Sequence, residues 1–436
     1  MIIKRFIAKD VYDYYNFDFV FNEKINFLIG LNGSGKTTAI KMIQSIIFFD
    51  FEYFSRTSFS RAIVEVQSVN LNTYLLEVTK NNNEIIFSIN GSQEIILFNE
   101  RAFQSNFKSS ITTRVTDDDL SKYFERERFN LINKNPVFSK FNSLEKPIFL
   151  GLERTLDKYY DEDYLSTRPA RFHSSGQKIY DVALRTSIYL FESYFKKYKR
   201  SREISNRRML DIAFDSFFNY HSINFDKYFS KESIDQMFEI INREREIYEV
   251  IESIDRNSKY WNRAENLLKN LRTDKLQYEK EGKLTLELCF NLIQTNGLNE
   301  ILKEFDKNKK NAEARYKPIK DFIDSINFFF KHSGKYLSID ELGEMKIYRG
   351  NKLIEVSTLS SGEKQLIMLL AHSNFGVKTN GSFIIDEPEL SLHLGWQEAL
   401  IQNITKNNDS TQYIFATHSP EIVGSNIEHC IYLESN

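Results

Sequence analysis

The chain has 436 residues, enough for two or three domains and a sizeable core. Its 58 Lys and Arg against 60 Asp and Glu exclude an overall basic field, so any nucleic-acid contact must come from a local patch. Two distant cysteines, Cys289 and Cys430, exclude a disulfide framework or a Cys/His zinc site, and the lack of a signal segment or of an apolar run of roughly 18 residues points to a cytoplasmic protein without membrane contact.

Residues 2–30 alternate apolar and polar in short runs and close on the apolar strand INFLIG, which ends at Gly30. A glycine-rich loop follows, then apolar residues at helical spacing, Ile40, Ile43, Ile46 and Ile47, which predict a helix over 37–49. Short strands are expected at 62–66, 74–78, 85–89 and 95–97, separated by Asn-rich turns, as an antiparallel flank to the first strand-loop-helix unit. The 37 Phe and 23 Tyr read as a base-composition bias rather than as a stacking platform. From 178 to 330 the pattern turns long, charged and helical, with few glycines or prolines. Strand signals return at 336–339 and 345–348, and the segments GSFIIDEPE and TQYIFATHS each read as a buried strand ending in polar residues. The expected organisation is therefore a first lobe over 1–177, a helical insertion over 178–330 and a second lobe over 331–436.

Three segments carry chemistry. The loop from Gly30 to Thr37 fits G-x-x-x-x-G-K-[ST] between a strand and a helix. Backbone N–H groups of Asn32, Gly33, Ser34, Gly35, Thr37 and Thr38 are candidates to wrap phosphates, Lys36 to reach the outer phosphates, and the Thr37 hydroxyl to ligate Mg²⁺. The strand 382–385 delivers Asp386 and Glu387 to its C-terminal end, Asp386 as a second Mg²⁺ ligand and Glu387 as the group that polarises water. Taken alone, this pair also reads as two solvated acids. Between them lies LSSGEKQ, in which Ser360, Gly362 and Glu363 open a second helix; the string reads either as a capped helix start or as an anion site. Because the first loop already serves its own nucleotide, this second site would serve another molecule's. Ser391 and His393 follow the acidic pair, and the strand 413–416 releases His418, placed to hydrogen-bond a terminal phosphate.

In this order the segments resemble the ABC-type ATPase heads of RecF, Rad50 and SMC proteins, over about residues 1–100 and 335–436. The resemblance implies an α/β ABC ATPase head with an antiparallel β flank and an inserted helical domain. It also implies ATP and Mg²⁺ as ligands, and a sandwich of two chains in which Ser360 and Gly362 face the nucleotide held by the opposite chain's Lys36. Ser391 to His393 would then form the loop across the interface. Glu387, His418 and Lys36 take the catalytic roles. The glutamine of the usual lobe-to-lobe loop is left open between Gln67 and Gln104. Pro147 to Arg154 resembles a strand-then-Glu/Arg element of the OLD-like subgroup. More than 300 residues separate Lys36 from Ser360, unlike the compact spacing of transporter cassettes.

The strings DEPELSLH and ATHSP resemble OLD-like ATPases of bacterial and phage-defence systems. The chain ends soon after His418, so no nuclease is expected in cis, and Asp117 to Asp119 read as a helix-start cluster rather than a metal site. The implied role is a stand-alone regulatory ATPase of an antiphage system, PARIS-type first and Septu- or retron-type next. It would act with a separately encoded Toprim or HNH nuclease, with a phage protein or DNA as trigger. A RecF-like repair ATPase that clamps DNA is the alternative, drawing on the basic run Lys196, Lys197, Lys199, Arg200, Arg202, Arg207 and Arg208. That run reads first as a solvated helix face, and otherwise as a DNA phosphate contact or a dock for an acidic protein. A nucleotide-switched scaffold with little turnover is a third reading.

Overall fold

The structure is a computed structural model, and it describes residues 1–81, 84–97, 117–151, 179–218, 231–254, 259–377, 380–406 and 410–433. Fourteen strands are described, numbered in chain order: β1 (Ile2–Val11), β2 (Tyr15–Val20), β3 (Ile25–Ile29), β4 (Arg61–Gln67), β5 (Thr73–Asn81), β6 (Glu84–Ile89), β7 (Ser92–Leu97), β8 (Ile148–Leu150), β9 (Lys335–Ile339), β10 (Met345–Arg349), β11 (Lys352–Ile354), β12 (Ser382–Asp386), β13 (Gln412–Thr417) and β14 (Cys430–Tyr432). They form a six-stranded sheet in the order β2-β1-β4-β5-β6-β7, a three-stranded sheet β11-β10-β9 and a five-stranded sheet β14-β3-β13-β12-β8.

The five-stranded sheet is parallel throughout. Its strands are near-continuous apolar runs because both faces are covered, and β12 and β13 are buried at every residue. Register then fixes the chemistry's position. Ile29 pairs with Thr417, and Asp386 pairs with Ala416, so the ends of β3, β12 and β13 reach one edge. Leu150 of β8 pairs with Ile385, which brings Gly151 to that same edge. Open parallel sheets bind ligands beyond the carboxyl ends of their strands.

The six-stranded sheet is antiparallel, and β4 alternates buried Ala62, Val64 and Val66 with partly exposed neighbours. Its inward face meets the helix Lys36–Phe48 and a set of fully buried phenylalanines, among them Phe6, Phe49, Phe54, Phe87, Phe138 and Phe141. Ring pairs such as Phe49–Phe87, with centroids 5.7 Å apart and planes at 78°, show edge-on packing. Much of the abundant Phe thus fills a core, as an apolar composition requires. The expected α/β class, with an antiparallel β flank and added helices, is the one observed.

The chain divides into two compact units, Met1–Glu192 with Asp321–Asn436, and Ser193–Lys320. Within the second unit the helices Ile179–Phe218 and Leu286–Phe330 run antiparallel along the parts they contribute. The Tyr194 hydroxyl donates to the Arg315 carbonyl at 3.2 Å, and the Asn308 amide donates to the Ser205 carbonyl at 3.4 Å. Ile240, Ile247, Val250, Leu268, Leu271 and Leu302 form this unit's own small core. Among the described residues no helix is long and apolar enough to cross a membrane.

Candidate active site

The loop after β3 is shaped by two devices. Gly35 sits at φ +88° as the cap of the helix Lys36–Phe48, and a Cβ there would lie 2.9 Å from the Phe17 ring. The Tyr15 hydroxyl donates to the Gly33 carbonyl, so β2 pins the loop from outside. Asn32 and Gly33 are exposed, Ser34 is buried, and Thr37 and Thr38 are half-buried in the first helical turn. Lys36 is 5% exposed, and its Nζ donates to the carbonyls of Gly30 at 2.7 Å and Leu31 at 3.2 Å. An ammonium held by loop carbonyls can exchange them for phosphate oxygens, which are stronger acceptors. An open cleft of about 1040 Å³ runs beside this loop, lined by Ile29, Gly30, Leu31, Asn32, His418, Tyr432 and Leu433.

Across the sheet edge, Asp386 is 1% exposed at the end of β12. The chain then turns sharply: Glu387 takes φ +49°, a left-handed conformation unfavourable for a residue with a Cβ, while its N–H donates to the Ala416 carbonyl at 2.8 Å. That bend throws the Glu387 carboxylate toward His418, whose Nδ1 lies 2.7 Å from Glu387 Oε2 and 3.1 Å from Glu389 Oε1. Burial first, and then the charge of Glu389, push the Glu387 carboxyl above its ordinary value, opposed by His418. A carboxylate with raised proton affinity is a better base, which suits water polarisation.

A second cluster forms where the helix Ser361–Ala371 begins. Ser360 is its exposed N-cap, in a capping box where Glu363 N–H donates to Ser360 Oγ and Ser360 N–H donates to Glu363 Oε2 at 2.8 Å. Glu363 is 2% exposed, and Lys335 Nζ reaches both its oxygens at 2.9 and 2.7 Å. Burial would raise the Glu363 carboxyl, yet Lys335 and the Ser360 N–H hold it below its ordinary value. Glu363 therefore points inward and shapes the loop, while Ser360 stays exposed. Gln365 Nε2 donates to the Pro388 carbonyl at 2.8 Å, tying this helix to the acidic turn. Ser391 takes φ +64°, and the exposed His393 caps the helix Leu394–Thr405 with its ring 4.7 Å from Trp396.

Gly362 and Ser391 meet closely: a Cβ on Gly362 would lie 2.5 Å from the Ser391 carbonyl oxygen. A helical Gly→Ala change ordinarily stabilises by up to about 1 kcal/mol. Here the clash is with backbone and wins, at a cost of about 1–3 kcal/mol. Gly362→Ala is expected to lower the melting temperature by several degrees and to cut catalytic turnover by displacing the 390–393 loop, as thermal melts and activity assays will show. A variant as stable and active as the parent would place Ser391 elsewhere.

The sequence-named residues thus fall into two linked groups, the loop with Asp386, Glu387 and His418, and the Ser360–Gly362 start with Ser391 and His393. Gln67 ends β4 in the antiparallel sheet, paired with Ile2 and Thr73, away from the parallel sheet's edge. Gln104, Leu152, Glu153 and Arg154 lie outside the described residues, as do the side chains of Asp117, Asp118 and Asp119. Three residues that sequence reasoning passed over are Tyr15, Lys335 and Glu389. Only Glu389 left a signal, as the second acid of DEPE.

The family model described as AAA ATPase domain matches residues 1–423. A Vibrio cholerae protein named "Retron Vc95 probable ATPase" is 22% identical over 95% of this chain and 70% of its own length. An Escherichia coli protein named "Retron Ec83 probable ATPase" is 25% identical, and the match spans 32% of either chain. Among solved structures, the Smc head domain with an extended coiled coil from Pyrococcus furiosus covers 99% of this chain and 93% of its own, at 12% identity and a TM-score of 0.38.

Proposed function

The chain belongs to the AAA ATPase domain family and is an ATP-binding ATPase, and from that premise we propose that it is the regulatory ATPase of an antiphage defence system. Two copies would enclose nucleotide and control a separately encoded nuclease in the cytoplasm. The observation that carries the chemistry is the convergence of the Gly30–Thr37 loop, Asp386–Glu387 and His418 on one strand edge. Loop amides and Lys36 bind the phosphates, and Glu387 polarises the attacking water. His418 contacts the terminal phosphate, while Ser360 and Gly362 complete the partner chain's site. Thr37 and the buried Asp386 offer hard oxygen donors, which fit Mg²⁺, and that ion would neutralise phosphate charge when bound.

The defence role draws on the two retron ATPases, whose names favour a retron-type arrangement over the PARIS-type one suggested by length and helical insertion. The DNA-clamp reading has one observation behind it: Lys196, Lys197, Arg200, Arg202, Arg207 and Arg208 are all exposed on one helix. The test of the defence role is phage challenge of cells carrying the gene with its native neighbours. Lys36→Ala should abolish protection, raising plaque counts to those of cells without the system, and full protection by that variant would overturn the proposal.

A further inference from the structure

Glu389 is the least accessible acid of the catalytic edge after Asp386, at 5% exposure, and one of its oxygens does most of the work. Glu389 Oε1 accepts the Thr417 hydroxyl at 2.6 Å and the His418 backbone N–H at 3.0 Å, and lies 3.1 Å from His418 Nδ1. A single carboxylate oxygen therefore grips the end of β13, the backbone of His418 and its ring. Glu387 Oε2 takes the same ring nitrogen at 2.7 Å.

The consequence is a fixed tautomer. Glu389 Oε1 already acts as an acceptor for the Thr417 hydroxyl and the His418 N–H, so the Nδ1 facing it is the donor and carries the proton. His418 is half exposed and lines the cleft beside Gly30 to Asn32, and Nε2 is left as the nitrogen available to a ligand there. Glu387 meets the ring nitrogen, whereas Glu389 holds the Thr417 hydroxyl and the His418 backbone N–H as well. Glu387 sits on a sharp turn and must serve water. Glu389 instead is braced: its N-terminal neighbour Pro388 is held by Gln365, and the carbonyl of Glu389 accepts from the Leu392 N–H at 2.9 Å.

We propose that Glu389 is the positioning residue of this ATPase, holding His418 in one tautomer and orientation so that Nε2 meets the terminal phosphate and Glu387 keeps its place. The role is distinct from water polarisation, and it rests on His418 acting at the phosphate. Glu389→Ala should lower kcat by about tenfold to hundredfold, the range of a misoriented acid–base partner, with the KM for ATP within about threefold. Glu389→Gln keeps an acceptor oxygen for Thr417 and the His418 N–H, and it should recover part of that loss.

The deciding measurement is a double-mutant cycle on kcat with Glu389→Ala, His418→Ala and the pair, each checked by thermal melt. If Glu389 acts through His418, the pair should be no slower than His418→Ala alone. Nitrogen-15 NMR of histidine-labelled protein adds a readout that a merely structural role leaves still. The resonance assigned to His418 by its loss in His418→Ala should show a protonated Nδ1, and should move toward the mixed-tautomer position in Glu389→Ala. Additive losses, or an unmoved resonance, would overturn the inference. A His418→Ala variant with parental kcat would instead remove the His418 reading on which it stands. For a Glu389→Ala chain that does not fold, Glu389→Met, which keeps the bulk of the side chain but offers no carboxylate oxygen, carries the same cycle and the same spectrum.

Discussion

Glu387→Gln should bind ATP as the parent does and hydrolyse it at least about a hundredfold more slowly, the usual loss when a positioned base is removed. The amide keeps the shape and tolerates the same left-handed turn at φ +49°, so the strand edge stays in place. What it loses is charge and basicity. In the structure that carboxylate is desolvated and crowded by Glu389, which raises its affinity for a proton, while Asp386 stays buried at the strand end next to it. The two acids are thus separated in place: one is buried at the strand end, and one is swung by the turn toward His418. Equilibrium ATP binding and single-turnover hydrolysis will check this. Parental hydrolysis by Glu387→Gln would mean that another group positions the water. A loss of binding would mean that Glu387 holds the metal.

The parts legible in the sequence were those with local rules. The loop reads from its glycines and Lys36, because only such a string lets a backbone wrap phosphate between strand and helix. The acidic pair reads from the apolar run Phe383, Ile384 and Ile385 just before it, which a parallel strand buried on both faces demands. The antiparallel flank reads from alternation, and its strands fall within a few residues of the expected positions. What was not legible depends on partners distant in the chain. Tyr15 braces Gly33 only because β2 folds beside the loop. Lys335 finds Glu363 across 28 positions and turns a nominal ligand contact into a buried pair. Glu389 looks like one more solvated acid until β13 brings Thr417 and His418 onto it. Pro147 to Arg154 resembles an element of the OLD-like subgroup in sequence, but the place of its strand β8 beside β12 emerges only from sheet pairing.

Lys36→Ala should abolish ATP binding, and its combination with Ser360→Arg tests whether the site needs two chains. Lys36 is a buried cation held by loop carbonyls, so its removal leaves a phosphate cradle with no countercharge while the helix behind it keeps its core contacts. Ser360 is exposed, so Arg fits there sterically and costs the chain only a helix cap, about 1 kcal/mol. An isolated Ser360→Arg chain should bind ATP within about threefold of the parent, since none of its own loop contacts are touched, yet it should not hydrolyse it. In a dimer pairing the two variants, one site holds both lesions and the other holds neither. Such a heterodimer should recover about half the parental turnover, and free exchange at equal amounts about a quarter, because half of the dimers are mixed. Recovery cannot arise if Lys36 and Ser360 act within one chain, since every chain then carries a lesion in its own site. Ser360→Arg failing to bind ATP on its own would place Ser360 at its own nucleotide. Heterodimers that form, shown by differential tagging, and stay inactive while Ser360→Arg binds ATP normally would mean that hydrolysis needs both sites closed at once.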